Sequence, residues 1–274
     1  NNHWLQGFFY IKKRRFLHQK KVMKKILLSA LIFSTLAFVS CNDSDDNNTG
    51  VDTSGIYLPT KFESEENVQT FVYDSENRLI ESKDIEDDGS RTNIVTFVYT
   101  NGQLVSAKEV TTEVGNDQTY VSTEDYTFTY QNNEVTVVNV YTSNWSNSTQ
   151  TSVYTIDSNG KLQSGNGLTV TYDSKGNVTK LVEDDFENTY TYDNQNGMFK
   201  NVNTPQWAFY LVLEEFHIFD INNVTKLTYK DSEDAEEDFS NISYQYNSAN
   251  YPVKMNVIGS ENFSNSITIE YLKK

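Results

Sequence analysis

The feature that most constrains this chain is a short unit that reads as strand, tight turn and strand. In its clearest copy Tyr172 ends an alternating strand, Asp173 and Gly176 suit the turn, and Val178 starts the return strand. An aspartate at the first position of a type I turn accepts the backbone N–H two residues on, and glycine tolerates the left-handed position that closes the turn as a bulge. The pattern predicts an antiparallel hairpin here.

The unit recurs along the chain, with Asp or Asn one residue after the key residue, Gly or Asn four after it and an apolar residue six after it. The copies start at Tyr73, Ile156, Tyr172, Tyr192 and Tyr246, and shorter ones start at Tyr99 and Tyr130. The shorter copies carry Asn101-Gly102 and Asn132-Asn133, which are typical of two-residue type I′ turns. We therefore expect a series of hairpins, with Gly160 and Gly176 at positive φ.

One face of the predicted strands is aromatic and the other is polar. The residue two before each key aromatic is also apolar, as in Phe71 before Tyr73, and threonines such as Thr169 and Thr171 alternate with them. This alternation is typical of an antiparallel sheet with one wet side. The predicted fold is mainly β: a long, curved antiparallel meander of hairpin repeats, forming an incomplete barrel or roll, with one short helix packed on its aromatic face.

The stretch from Thr204 to Phe219 breaks the strand pattern. Thr204 suits an N-cap and Pro205 the first helical position, and most residues after them are apolar. We expect a short buried helix here, although a buried pair of strands is the alternative. The expected contacts place Trp207, Leu211 and Phe216 against the key tyrosines of several repeats, among them Tyr172 and Tyr192.

The N-terminal part reads as a leader. Met23 opens a basic start, an apolar run from Ile26 to Val39 comes next, and Cys41 is the single cysteine of the chain, so no intrachain disulfide forms. The run is shorter than the ~20 residues of a membrane-spanning helix. We interpret residues 1–22 as upstream sequence outside the working protein, with a genuine extended leader as the alternative, and residues 23–40 as a signal peptide.

The segment Leu36–Cys41 resembles the lipidation motif of bacterial lipoproteins, with an ordinary signal peptide as the alternative. The resemblance implies a lipid anchor on Cys41 that makes the membrane a partner. Residues 41–55 lack the apolar content needed to pack, so we expect a disordered acidic tether. Its start is similar to the surface-export signal of Bacteroidetes lipoproteins, which implies an outer-membrane location with surface exposure; a periplasm-facing location is the alternative.

The hairpin units resemble the YD repeats of Rhs-type surface proteins. Residues 56–274, read as a single β-rich domain, are similar together with the leader to a family of uncharacterised Bacteroidetes secreted lipoproteins. The segments on which this resemblance rests include Tyr190–Asp193, Asn222–Lys226 and Tyr251–Lys254. The resemblance implies surface anchoring and a β-rich fold. It implies no known activity, so no catalytic residue is carried over.

Charge and composition exclude several classes of function. The first 40 residues hold eight Lys/Arg and no Asp/Glu, which leaves 14 basic residues against all 38 acidic ones in the remainder. So acidic a surface excludes nucleic acid as a partner, because phosphate binding needs basic groups. His217 is the sole histidine after the leader. Neither a nucleophile–histidine set nor a zinc site can be assembled, and we expect no cofactor, no metal and no catalytic residues.

Trp145 is the exception among the aromatic residues, because its flanks are entirely polar in a predicted long polar loop or turn over 141–149. An exposed tryptophan in such a loop suits ligand contact. We therefore expect a cell-surface, non-enzymatic binding module for a glycan or a protein. One alternative is a periplasmic carrier that holds an apolar ligand in a half-open sheet. Another is a secreted glycosidase that uses two of the many carboxylates.

Overall fold

The structure is a computed structural model. It describes residues 55–115, 118–184, 186–213, 220–231, 237–260 and 264–274. The signal peptide, Cys41 and the tether lie outside the described residues, and so do Phe216 and His217. The predictions on lipidation and on the contacts of Phe216 therefore remain predictions.

The described residues form sixteen strands and one helix. The first eight strands are β1 (Tyr57–Glu63), β2 (Asn67–Tyr73), β3 (Leu79–Glu86), β4 (Arg91–Thr100), β5 (Gln103–Gly115), β6 (Gln118–Gln131), β7 (Glu134–Ser143) and β8 (Asn147–Ile156). The next four strands are β9 (Leu162–Gly165), β10 (Leu168–Tyr172), β11 (Val178–Glu183) and β12 (Phe186–Tyr192). The helix α1 (Gln206–Leu213) precedes β13 (Val224–Asp231), β14 (Glu237–Tyr246), β15 (Pro252–Gly259) and β16 (Ser264–Lys273).

The strands pair antiparallel in chain order and close into a barrel, because β16 pairs with β1 from Tyr57 opposite Lys273 to Glu63 opposite Thr268. The prediction of a mainly β meander is confirmed, but the prediction of an incomplete barrel or roll is wrong. An open sheet would leave unpaired N–H and C=O groups along two edge strands, and closure pairs them. The hairpin pattern predicts which consecutive strands pair. It does not predict whether the first strand pairs with the last.

The repeat turns form as their chemistry predicts. The Oδ1 atom of Asp173 accepts the backbone N–H groups of Lys175, Gly176 and Asn177 at 2.8, 2.7 and 2.9 Å. The register shifts by one residue at each such turn, so that Tyr172 faces Val178. Gly176 has a φ of 99° and Gly160 one of 76°, and both residues of Asn101-Gly102 and of Asn132-Asn133 have positive φ. The predicted turn types are confirmed.

Replacing Gly176 with valine is expected to lower the free energy of unfolding by about 1–2 kcal/mol, because a β-branched residue is strained at positive φ. The Lys161 side chain, whose Nζ lies where the new Cβ would stand, would also have to move. Urea denaturation measures the loss. Gly115→Val is the matched control, since nothing lies within 4 Å of its added Cβ, and it should stay within about 0.5 kcal/mol of the parent. Equal effects in the two variants would contradict the assigned turn geometry.

The aromatic face points into the barrel and the threonine face points outward, as predicted. Phe71, Phe97 and Phe128 are buried in one cluster of apolar side chains, whereas Thr169 and Thr171 are exposed. The outer wall also carries cross-strand ion pairs. Two of them join Lys108 Nζ to Asp125 Oδ1 at 2.9 Å and Lys180 Nζ to Glu187 Oε2 at 2.7 Å. A membrane-spanning barrel carries an apolar band on its outside and a polar interior. This wall differs, because its inner side is apolar and its outer side mixes threonines and ion pairs with exposed apolar residues such as Val98 and Ile258.

Helix α1 lies inside the barrel. The Trp207 ring meets the edges of Phe128 and Tyr130, with ring centroids 5.1 and 6.1 Å apart. Leu211 packs against the same apolar cluster, and so do Tyr172 and Tyr192. The predicted burial of a short helix on the aromatic face is confirmed. Within the described ranges, no helix is both long enough and apolar enough to cross a bilayer.

Candidate functional site

The hairpin topology gives the barrel two different ends. The repeat turns, which join each even strand to the following odd strand, lie at one end, called here the repeat end. The other turns lie at the opposite, distal end, and Trp145 belongs to the turn between β7 and β8 there. The two ends therefore present different chemistry, and each is a candidate for ligand contact.

At the repeat end, tyrosine hydroxyls donate to backbone carbonyls on the preceding strand. The pairs run from Tyr73 to Pro59, Tyr99 to Leu79, Tyr130 to Leu104, Tyr172 to Leu162, Tyr192 to Val178, Tyr244 to Val224 and Tyr271 to Pro252, over 2.5–3.1 Å. Burial raises the pKa of Tyr99 to about 12, so its hydroxyl remains a donor at neutral pH. Sequence reasoning assigned these rings to the core first and to a sugar-stacking platform second, and it did not predict these hydrogen bonds. The sequence feature that could have indicated these hydrogen bonds is the use of Tyr instead of Phe at the end of the strand before most of the repeat turns.

One repeat turn contains a long insertion. Asp193 N donates to Asn223 O at 3.0 Å, and Asp193 Oδ1 accepts N–H groups from Gln195 and Asn223 at 3.0 and 3.1 Å. Asn223 is thus equivalent to Asn177, whose N–H bonds to Asp173 Oδ1 in the turn after Tyr172. Tyr192 pairs with Val224 in the sheet, as Tyr172 pairs with Val178. The interpretation of Tyr192 to Met198 as a complete hairpin unit was wrong. Residues 194–222, called here the plug, stand inside that unit.

The plug is bound to the rim of the repeat end. Asn201 Nδ2 donates to Tyr57 O at 3.1 Å, and Asn203 N donates to Asn77 O at 3.0 Å. Thr204 Oγ1 accepts the N–H of Leu79 at 2.7 Å and bonds with the Tyr99 hydroxyl at 2.9 Å. The predicted N-cap role of Thr204 is therefore wrong, because its hydroxyl ties the plug to the wall. The helix begins at Gln206.

Asp220 anchors the other end of the plug. It is 1 % exposed, and its Oδ1 accepts from Val178 N at 3.2 Å and from Gln206 Nε2 at 2.9 Å. The Tyr192 hydroxyl lies 2.5 Å from both Val178 O and Asp220 Oδ2, yet a phenol has only one proton to donate. Both contacts are satisfied if a protonated Asp220 donates to Tyr192 and Tyr192 donates to Val178. In agreement, burial raises the pKa of Asp220 to about 7.

At the distal end an aromatic pair faces solvent. The Trp145 side chain is 73 % exposed, and its ring lies 5.0 Å from that of Tyr120 at an interplanar angle of 42°. The turn is tight, because Ser143 N donates to Ser146 O at 2.8 Å and β8 resumes at Asn147. The prediction of a turn that carries Trp145 is confirmed, but the turn covers only 144–146. A long loop over 141–149 is wrong, since 141–143 belong to β7 and 147–149 to β8. The expected exposure of Trp145 is confirmed, and its partner Tyr120 was missed.

Two carboxylates face each other across β5 and β6 on the inner side of the wall. Glu109 stands directly opposite Glu124 in the register. Asn93 Nδ2 donates to Glu109 at 2.7 Å, and Asn139 Nδ2 donates to Glu124 at 2.8 Å. Glu109 is 9 % exposed, so this pair lies in the wall and not in an open cleft such as a glycosidase requires. Within the described ranges no group of three or more His, Cys, Asp or Glu side chains could hold a metal ion.

No family model matches the sequence, and a search of curated proteins finds no relative. Several solved structures resemble the fold, and two of them are porin-like proteins. A porin-like protein from Bacteroides vulgatus is 15 % identical over 79 % of this chain and 99 % of its own, with a TM-score of 0.43. A porin-like protein from Bacteroides uniformis is 10 % identical over 78 % of this chain and 96 % of its own, with a TM-score of 0.38. Similarity at this level carries no argument about function.

Proposed function

We propose that this chain is a non-enzymatic binding module held at the outer membrane by a lipid on Cys41, and that Trp145 and Tyr120 form its glycan contact. The observation that carries the proposal is the exposure of Trp145, which is 73 % on the tight turn between β7 and β8. A large ring left in water on such a turn suits contact with the apolar face of a ligand. Its polar neighbours suit the hydroxyl groups around that face.

The course of the chain places the proposed lipid attachment and Trp145 at opposite ends of the barrel. Strand β1 starts at the repeat end, where Asn201 of the plug bonds to Tyr57 O. A lipid on Cys41 would therefore be joined to the repeat end through the tether. Trp145 stands one strand length away, at the far end of the ten-residue β7, which spans roughly 33 Å at 3.3 Å per residue. The aromatic pair would lie at the end of the barrel opposite the attachment point.

The polarity of the wall supports a barrel that stands in water beside the membrane. Ion pairs such as Lys108 to Asp125 lie on its outer face. The Lys108 and Asp125 side chains are 49 and 51 % exposed. The inner face is filled by apolar side chains and by α1. The alternative of a carrier loses its basis, because the sheet is closed and Trp207 and Phe209 occupy the interior.

Replacing Trp145 with alanine is expected to weaken glycan binding at least about tenfold, as for an aromatic hot-spot residue. An array of neutral and acidic glycans identifies the ligand, and titration calorimetry gives the change in Kd. Val98→Ala is the control, since Val98 is 51 % exposed on the outer wall near the repeat end. Unchanged affinity in Trp145→Ala, with the parent binding a glycan, would show that the aromatic pair is not the contact.

A further inference from the structure

The described part of the plug, 194–213 and 220–222, leaves one arc of the repeat end uncovered. Its hydrogen bonds reach Tyr57 and the turns at 74–78, 173–177 and 247–251. Between described residues, no hydrogen bond joins the plug to the two-residue turns at 101–102 and 132–133. A cleft of ≈ 1020 Å³ lies there, between plug residues 199–207 and the turns that follow β4, β6 and β8.

Three turns border the cleft, and two of them are of the short type. The turns at 101–102 and 132–133 are one residue shorter than those that begin with Asp173 or Asp157, and they lack the carboxylate that closes the longer turns. The third turn on the border begins with Asp157 and is of the longer type. Elsewhere the plug is bound to the rim, for example through Asn222 N to Asn177 Oδ1 at 2.9 Å.

The walls of the cleft are rich in side-chain amides and have no net charge. Gln103, Gln131 and Asn132 line it, and within the described residues their side-chain amides make no hydrogen bonds. The charged lining residues balance, with Asp157 and Glu134 against Lys161 and Lys200. Each amide offers two donors and an acceptor, which matches hydroxyl groups that both donate and accept. A phosphate or a cation would find no excess of the opposite charge.

The floor of the cleft is apolar. Tyr130, Ile156 and Val202 line it as half-buried side chains above the fully buried Trp207. Because the Tyr130 hydroxyl is already bonded to Leu104 O at 2.7 Å, the ring is the part of Tyr130 left for a ligand. The volume matches the upper end of ligand pockets, which run from about 300 to 1,000 Å³.

We propose that this cleft binds a short neutral oligosaccharide. Sugar hydroxyls pair with the unbonded amides of the walls, and the C–H faces of the sugar rings lie on Tyr130 and Ile156. The site is separate from the Trp145 pair, which lies at the other end of the barrel. The cleft can therefore bind sugar whether or not Trp145 does.

The test is calorimetric titration of the full chain with four neutral hexasaccharides, namely cellohexaose, xylohexaose, mannohexaose and maltohexaose, and with a charged hexamer of galacturonic acid. We expect at least one neutral sugar to bind with a Kd below about 1 mM. Gln103→Ala/Gln131→Ala should weaken that binding about tenfold, because two hydrogen-bonding amides are lost. The matched control is Asn241→Ala/Gln245→Ala, which removes two exposed amides from the outer wall of β14.

The outcomes separate this site from the distal one. Weaker binding in Gln103→Ala/Gln131→Ala with full binding in Trp145→Ala supports the cleft. In the Trp145→Ala background, a sugar-dependent change in tryptophan fluorescence would also support it, because Trp207 lines the cleft. Loss of binding only in Trp145→Ala would place the sugar at the distal end and overturn the cleft proposal. Tighter binding of the galacturonic acid hexamer, or no binding of any neutral hexasaccharide, would overturn it as well.

Discussion

Replacing Trp207 with alanine is expected to lower the free energy of unfolding by about 3–5 kcal/mol, the usual cost of truncating a fully buried tryptophan. Trp207 is 1 % exposed and holds the plug against Phe128 and Tyr130 on the opposite wall. Alanine would leave unfilled space inside a closed barrel, below the cleft that Trp207 lines, where a fully hydrogen-bonded wall has little freedom to collapse. Urea denaturation, followed by circular dichroism, measures the loss.

Trp145→Ala is the matched control for that measurement. It removes the same side chain from a position that is 73 % exposed, and surface truncations usually change stability by no more than about 0.5 kcal/mol. A large difference between the two variants locates the stabilising tryptophan inside the barrel. Similar small effects in both would mean that α1 does not fill the lumen.

The stability of the chain is expected to fall as the pH rises from 5 to 8, through the titration of Asp220. Burial raises its pKa to about 7, against an ordinary value of 3.8, so the folded state keeps a proton that the unfolded chain has lost. A group with a raised folded-state pKa stabilises fully below its unfolded pKa, and that contribution disappears as the pH rises through the folded value. A shift of this size is on the order of a few kcal/mol at about 1.36 kcal/mol per pH unit.

Asp220→Asn tests the assignment, because its amide can donate to Tyr192 and accept from Val178 N and Gln206 at any pH. Denaturation midpoints between pH 5 and 8 should be less dependent on pH in this variant than in the parent. Asp173→Asn is the control. Burial alone would raise the pKa of Asp173, but its hydrogen bonds from Asn177 and other groups lower it, so its stabilisation is lost at more acidic pH. A parent-like slope in Asp220→Asn would contradict the protonated anchor.

The charged groups around Asp220 fit that interpretation. Lys161 is the cation that acts on it, and Lys161 Nζ is itself held by Gly176 O at 2.8 Å. Tyr192 contacts Asp220 directly, and burial followed by the Asp220 charge raises the pKa of Tyr192 well above its usual range. Burial raises the pKa of Tyr172 and of Tyr190, and the Asp220 charge raises both pKa values further. These tyrosines stay neutral from pH 5 to 8, which leaves Asp220 as the group that titrates among them.

The candidate site was partly accessible from sequence. The polar flanks of Trp145 predicted its exposure, because a side chain with no apolar neighbours in the chain has no local core to join. Its partner Tyr120 could not be found, since the two residues meet only through the pairing of β6 with β7. The cleft was also missed. It lies where the described part of the plug makes no hydrogen bonds to the turns at 101–102 and 132–133. The path of the plug depends on contacts between residues more than 100 positions apart, such as Thr204 with Leu79.

The amino-acid sequence by itself determined the local structure of the hairpins. Turn types follow from Asp173, Gly176 and the Asn-Gly pair at 101–102. The inward face follows from the alternation of aromatic residues with residues that are often threonine. Both depend on interactions within a few residues. Tertiary structure alone decided that β1 meets β16, that the Tyr192 unit is split by the plug, and that Thr204 serves the wall instead of capping α1. Each of these depends on closing a ring of sixteen strands, and a residue's local pattern carries no information about a partner at the other end of the chain.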